Sequence, residues 1–188
     1  MILAALVLLP FAGALIAFTP GTGPVRRPVL FLVAAAHLGL VGRVALVPPS
    51  PIANGWIGLD AAGLVFLATT SALFLAVAIY AIGYLALARR GPTRDFETLA
   101  LRSTDTPEGR FIGCLLLVES MTSLVALSQN LGLVWVGVEA TTLASTPLIY
   151  FHRHHRSLEA TWKYLLICSV GIALALLGNF FLAVAASG

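Results

Sequence analysis

The chain predicts an all-α integral membrane protein of about six transmembrane helices, on three observations. Hydrophobic residues make up 59% of the 188 positions and charged residues only 10%, and mean hydropathy is +0.97, which leaves far too little polar surface for a soluble globule. The apolar residues gather into runs of the length that crosses a bilayer, about 20 residues each. The arginines that give the net charge of +3 fall between those runs, where they orient helices against a membrane, and do not form a nucleic-acid footprint.

Six spans follow in order along one membrane domain, residues 1–188: Ile2–Phe18, Pro28–Val47, Asp60–Ala88, Phe111–Ser128, Leu131–Phe151 and Leu158–Ala186. The first is read as a span and not as a cleaved leader, because a basic stretch ahead of the apolar run is missing and Arg26 and Arg27 come after it. Turn chemistry separates the spans at Thr19–Pro24, at Pro48–Pro51 and over the long polar stretch Arg89–Arg110. Only Gln129 and Asn130 join the fourth and fifth spans, which makes that pair an antiparallel hairpin. The Arg89–Arg110 stretch mixes Asp95, Glu97, Asp105 and Glu108 among its arginines and is expected to be solvated.

Orientation follows from the basic loops, which stay on the cytoplasmic side. Arg26 and Arg27, then Arg89, Arg90, Arg94, Arg102 and Arg110, then Arg153 and Arg156, all belong to loops on one face. Arg43 alone lies towards the opposite face, where its guanidinium can snorkel to the interface. Both termini are therefore expected outside.

Ionisable groups at membrane depth are costly and usually mark ion or proton movement. Glu119 lies about ten residues before the outer turn and Glu139 about ten after it, so a straight hairpin sets both carboxylates near the midplane. Converging, they could not both stay ionised and one would store a proton; diverging, they would act separately. Lys163, the sole lysine, falls roughly 9 Å cytoplasmic of Glu139 along the membrane normal, a distance suited to a water link. Glu159, one turn before Lys163 on the same face, offers that lysine a local ion pair instead. His37 is a weaker relay candidate beside a plain packing role, and Asp60 is weighed mainly as a helix cap. Pro147 should kink the fifth span and leave a carbonyl free for water or for the hydroxyl of Thr141, Thr142 or Ser145.

Other chemistry finds little support. His152, His154 and His155 cluster, but Arg153 and Arg156 beside them repel cations and no cysteine or carboxylate completes a ligand set, so no metal is assigned. Cys114 and Cys168 lie in apolar runs and read as small core residues. No phosphate loop, nucleophile elbow, haem ligand pair or iron–sulfur cysteine set occurs, so no cofactor and no catalytic centre is expected.

Two segments carry a resemblance. NLGLVWVGVEATTLAS, Asn130–Ser145, and SLEATWKYLLICSVG, Ser157–Gly171, resemble the antiporter-like proton-pumping subunits of respiratory complex I, above all the version in group 4 membrane-bound nickel–iron hydrogenases and formate hydrogenlyase. Asp60 through Gly83 and Tyr84 is similar to that family's third helix, and the similarity covers about two thirds of the chain. The resemblance implies a non-redox membrane subunit of an oxidoreductase complex, in the inner (plasma) membrane. In it, Glu139 matches the fifth-helix glutamate and Lys163 the sixth-helix lysine of a proton-translocating unit. Full-length members carry about fourteen helices in inverted repeats, so this chain is expected to be an N-terminal part, truncated or split before the seventh helix. Its partners would be the lipid bilayer, other membrane subunits and a chain supplying the remaining helices. Glu119 departs from the family's fourth helix.

Three functions remain open on these grounds. The first is a proton-translocation component, with Glu139, Lys163, Glu119 and Glu159 as the relay and His37 and Asp60 as lesser members. The second is a structural docking module of the membrane arm, using Gly132, Gly137, Gly171 and Gly178 for close helix packing. The third is a component of a multisubunit cation/proton antiporter.

Overall fold

The computed structural model describes residues 1–19, 23–47, 49–88, 106–151 and 155–187. Among the described residues six α-helices follow one another: α1 (Ile2–Phe18), α2 (Gly23–Leu46), α3 (Ala61–Ala88), α4 (Thr106–Leu127), α5 (Leu131–Ile149) and α6 (His155–Ser187). Helices α2 to α6 are long and apolar enough to cross a membrane, while α1 is a shorter apolar helix of 17 residues. The chain is thus an all-α, multi-pass membrane protein.

Helix α4 is the hub, packed against α1, α2, α3 and α5. Glycines let it approach its neighbours closely: a Cβ on Gly109 would sit 2.7 Å from the Ala17 carbonyl oxygen of α1, one on Gly63 would sit 2.6 Å from the Ala126 carbonyl, and one on Gly137 would sit 2.6 Å from Val125. Of the glycines expected to support packing, Gly137 alone meets a neighbouring helix, whereas Gly171 and Gly178 face open space and Gly132 meets only the Asn130 side chain.

Two apolar clusters hold α1–α4 together. One joins Ala14, Leu30, Phe74, Ala81, Ile112 and Leu116, and the other joins Leu3, Leu6, Val41, Val44, Leu67 and Leu127. A polar layer lies between them. Helix α6 packs principally on α5 and leaves a long apolar face open, including Leu166, Ile167, Leu174, Phe180 and Phe181.

The helix ends correct two sequence expectations. Helix α2 starts at Gly23 and α4 at Thr106, so Arg26, Arg27, Glu108 and Arg110 belong to helices and not to loops. Arg26, 1% exposed, donates to the carbonyls of Ala17 and Thr19 at the end of α1, at 3.2 and 3.1 Å. The last carbonyls of a helix call for donors from outside it, and the guanidinium supplies them here. Arg27 grips Glu108 through Nε–Oε1 at 2.6 Å and Nη2–Oε2 at 3.3 Å, and also donates to the Leu85 carbonyl. Glu108 is therefore buried and paired, not solvated, because the forked guanidinium repays its desolvation. The other charged residues of that stretch, Arg89, Arg90, Arg94, Asp95, Glu97, Arg102 and Asp105, lie outside the described residues.

At the opposite end, Asp60 Oδ1 accepts from the Gly63 N–H at 2.8 Å, and Asn130 Oδ1 accepts from Gly132 and Leu133. Both are side-chain caps on free N–H groups at a helix start. The segment before α3 makes a tight turn through Ala53, Asn54 and Gly55, all at positive φ. It then pairs with the α4–α5 turn, Gly58 N–H to the Leu127 carbonyl at 2.9 Å and Gln129 N–H to the Trp56 carbonyl at 2.8 Å.

Candidate functional site

Two polar groupings occupy the apolar interior, one on each side of α4. The first is the seam between α5 and α6. Trp135 Nε1 donates to the Ile172 carbonyl at 3.1 Å, Ser169 Oγ donates to Glu139 Oε1 at 3.4 Å, and Ser145 and Tyr164 share a hydroxyl–hydroxyl bond of 2.8 Å. Glu139 is half-buried there. The seam thus runs as a line of hydroxyls and one carboxylate from the arginine-bearing end of the molecule towards its middle.

Lys163 is turned away from that line. Its Nζ pairs with Glu159 Oε1 at 2.5 Å, one helical turn away, and both side chains are well exposed at 68% and 60%. Among the described residues Lys163 makes no ion pair with Glu139. Helical geometry accounts for this: Ser169, which meets Glu139, lies six residues beyond Lys163, about 9 Å along α6 and a third of a turn around it. The local carboxylate at i−4 takes the ammonium first.

Glu119 and Glu139 diverge. Glu119, 4% exposed, points from α4 into the α1–α3 side, and Glu139 points from α5 towards α6. No shared-proton carboxylate pair forms between them. Glu119 belongs instead to the second grouping, the polar layer, which centres on His37 at 0% exposure. His37 Nδ1 lies 2.7 Å from Ser71 Oγ and 3.2 Å from Glu119 Oε1, and its Nε2 lies 3.1 Å from the Leu6 carbonyl oxygen and 3.0 Å from Ser123 Oγ. Ser71 Oγ also donates to Glu119 Oε1 at 3.4 Å, and Ser120 Oγ donates to the Val7 carbonyl at 2.8 Å. Four helices each contribute one or more polar atoms.

Sequence reasoning set Glu119 beside Glu139 and His37 by itself, and missed Ser71, Ser123 and Pro10. The local signal for Pro10 is legible in retrospect: a proline in α1 removes the N–H that would bond the Leu6 carbonyl, and that carbonyl is the one His37 reaches. Pro147 had been expected to do similar work in α5, but the hydroxyls there fold back on other carbonyls, Thr141 to Val138, Thr142 to Glu139, and Ser145 and Thr146 to Thr142. Cys114 is buried and Cys168 half-buried, both as free thiols. His152 and His154 and the side chain of His155 lie outside the described residues, so the histidine cluster has no structural account.

The chain is similar over 185 residues, 97% of its length, to a hydrogenase-4 component F homologue from Methylacidiphilum infernorum at 28% identity. It is also similar to NADH-ubiquinone oxidoreductase chain 2 of Carassius auratus, 41% identical over 58 residues, and of Gallus gallus, 43% identical over 58 residues, each match covering 31% of this chain. These similarities place the chain beside membrane subunits of the complex I and group 4 hydrogenase kind. No family model and no solved structure matches it. The chain spans 36% of the length of the hydrogenase-4 relative and 17% of each chain 2 relative.

Proposed function

We propose that this subunit is a proton-translocation component of a membrane-bound hydrogenase-like or NADH dehydrogenase-like complex, with Glu139 as its proton-carrying group. The single observation that supports this most is the Glu139 carboxyl set on a hydroxyl-lined seam between two apolar helices, where Ser169 hydrogen-bonds it. A carboxylate at that depth costs several kcal/mol in lipid and is kept where it faces a polar path. Protons enter from the arginine-bearing end, taken as cytoplasmic, pass the Ser145–Tyr164 pair and reach Glu139 by way of intervening water. The membrane is the inner (plasma) membrane, with Met1 on the outer side. The driving energy comes from redox chemistry in partner subunits.

Lys163 and Glu159 act on this route electrostatically. Both lie on the open face of α6, and further helices packed there would strip water from the pair and strengthen its field at Glu139. Asp60, bound as a helix cap, is left out of the route.

The deciding experiment is proton transfer by the assembled complex in sealed vesicles. Glu139→Gln is expected to abolish it while assembly is preserved. Unchanged transfer would leave a docking role, the second reading, which the open apolar face of α6 favours. Transfer that follows sodium would assign the subunit to cation/proton exchange.

A further inference from the structure

The polar layer inside α1–α4 contains a proton whose position the surrounding atoms dictate. Begin at Pro10. It has no N–H, so the Leu6 carbonyl loses its helical donor, and a buried carbonyl without a donor is costly. His37 Nε2 stands 3.1 Å from that oxygen. A carbonyl can only accept, so Nε2 carries the hydrogen and the tautomer is set from α1. Ser123 Oγ, 3.0 Å away, is a second acceptor for the same N–H.

Nδ1 is then the only ring position at which a proton can come or go. It faces two groups, Ser71 Oγ at 2.7 Å and Glu119 Oε1 at 3.2 Å. With the proton on Nδ1, the imidazolium pairs with the carboxylate, and Ser71 accepts from the ring while donating to Oε1. With the proton on Glu119, its O–H donates to Nδ1 and Ser71 turns to donate to whichever acceptor remains. Both arrangements are electrically neutral as a whole, and both satisfy the buried polar atoms. Passage between them breaks one O–H bond, forms one N–H bond and reorients one hydroxyl.

The surroundings favour containment. Apolar clusters close the layer at both ends, with Leu30, Phe74 and Leu116 on one side and Leu6, Val41 and Leu67 on the other. Helix α1 brings no ionisable side chain, and α3 brings only Tyr80 and Tyr84, away from the layer and stacked on each other at 6.4 Å. On α2 the remaining charges are Arg26, Arg27 and Arg43. On α4 they are Glu108, already held by Arg27, and Arg110, with the thiol of Cys114 also on that helix. None of these bonds to His37 or Glu119.

We propose that His37 and Glu119 form a closed one-proton site, distinct from Glu139, in which a single proton is shared between Nδ1 and Oε1 and the imidazole tautomer is fixed by the carbonyl that Pro10 leaves free. This site does not depend on proton translocation by the subunit. It acts as an internal charge switch at mid-membrane, because moving the proton converts an ion pair into two neutral groups without any exchange with water.

The test is nitrogen-15 NMR of the full chain in lipid nanodiscs with labelled histidine, the His37 signals being assigned by their loss in His37→Gln. Nε2 should carry hydrogen throughout, and the Nδ1 signal should lie between its lone-pair and N–H limits. Glu119→Gln keeps the size of the side chain but has no acidic proton to share, and should move Nδ1 to one limit. Pro10→Ala returns an N–H to the Leu6 carbonyl and strengthens the helix, so it should fold, and it should raise the Nδ1–H neutral tautomer at least tenfold. A bare Nε2 in the unaltered protein, or an Nδ1 signal at the same limit with and without Glu119, overturns the proposal. Because neither measurement reads proton pumping, loss of this site and loss of the Glu139 route are separately visible.

Discussion

Glu139 and Lys163 show how far a residue's chemistry depends on which way it points. Both sit on helices that pack together, yet Glu139 meets Ser169 while Lys163 meets Glu159. The Ser169 bond is long at 3.4 Å, so it orients the carboxyl more than it stabilises the fold. Ser169→Ala is therefore expected to leave thermal stability within about 0.5 kcal/mol, and to slow proton transfer by the assembled complex several-fold; an unchanged rate would remove Ser169 from the route. The exposed Lys163–Glu159 pair behaves differently in the two settings. Surface pairs of this spacing contribute about 0.3–0.5 kcal/mol, so Glu159→Gln should scarcely alter the melting of the isolated chain. In the assembled complex, where covering helices would dry the pair, the same change should lower the rate of transfer.

At the level of helices, charged and small residues do the joining. Arg27 ties the start of α2 to Glu108 on α4 and to the last turns of α3, so Glu108→Ala leaves a guanidinium without its carboxylate inside the bundle. A loss of about 3 kcal/mol is expected, visible as a lower melting temperature in detergent. Gly109 makes a sharper test: a Cβ there would press on the Ala17 carbonyl oxygen at 2.7 Å, backbone that cannot swing aside. Gly109→Ala must part α1 from α4 and should destabilise the chain by about 2 kcal/mol, despite the better helix propensity of alanine. The helices themselves were legible from apolar run lengths, from the cap at Asp60 and from the turn at Gln129 and Asn130. Their ends at Arg26, Arg27 and Glu108 were not, because a charged residue near a turn looks the same whether it faces water or a carbonyl on another helix.

Across the whole molecule, burial is uneven. The bundle of α1–α4 encloses two apolar clusters and a polar layer, whereas α6 is open along its length and touches chiefly α5. Gly178 has nothing within 4 Å of a built Cβ, so Gly178→Leu should leave the isolated chain folded with unchanged helix content. If partner helices cover that face, the same substitution should reduce co-purification with the other membrane subunits; equal recovery of the complex would place the partners elsewhere. Composition and run length were enough to establish a helical membrane protein of about six apolar helices, since hydrocarbon demands helices that satisfy their own backbone and a set number of residues to cross it. The pairing of side chains was not available from the same information. Leu6, His37, Ser71 and Glu119 are far apart along the chain and become one hydrogen-bonded layer only when four helices fix their rotation and depth. That rotation depends on packing against neighbours, which no single span encodes.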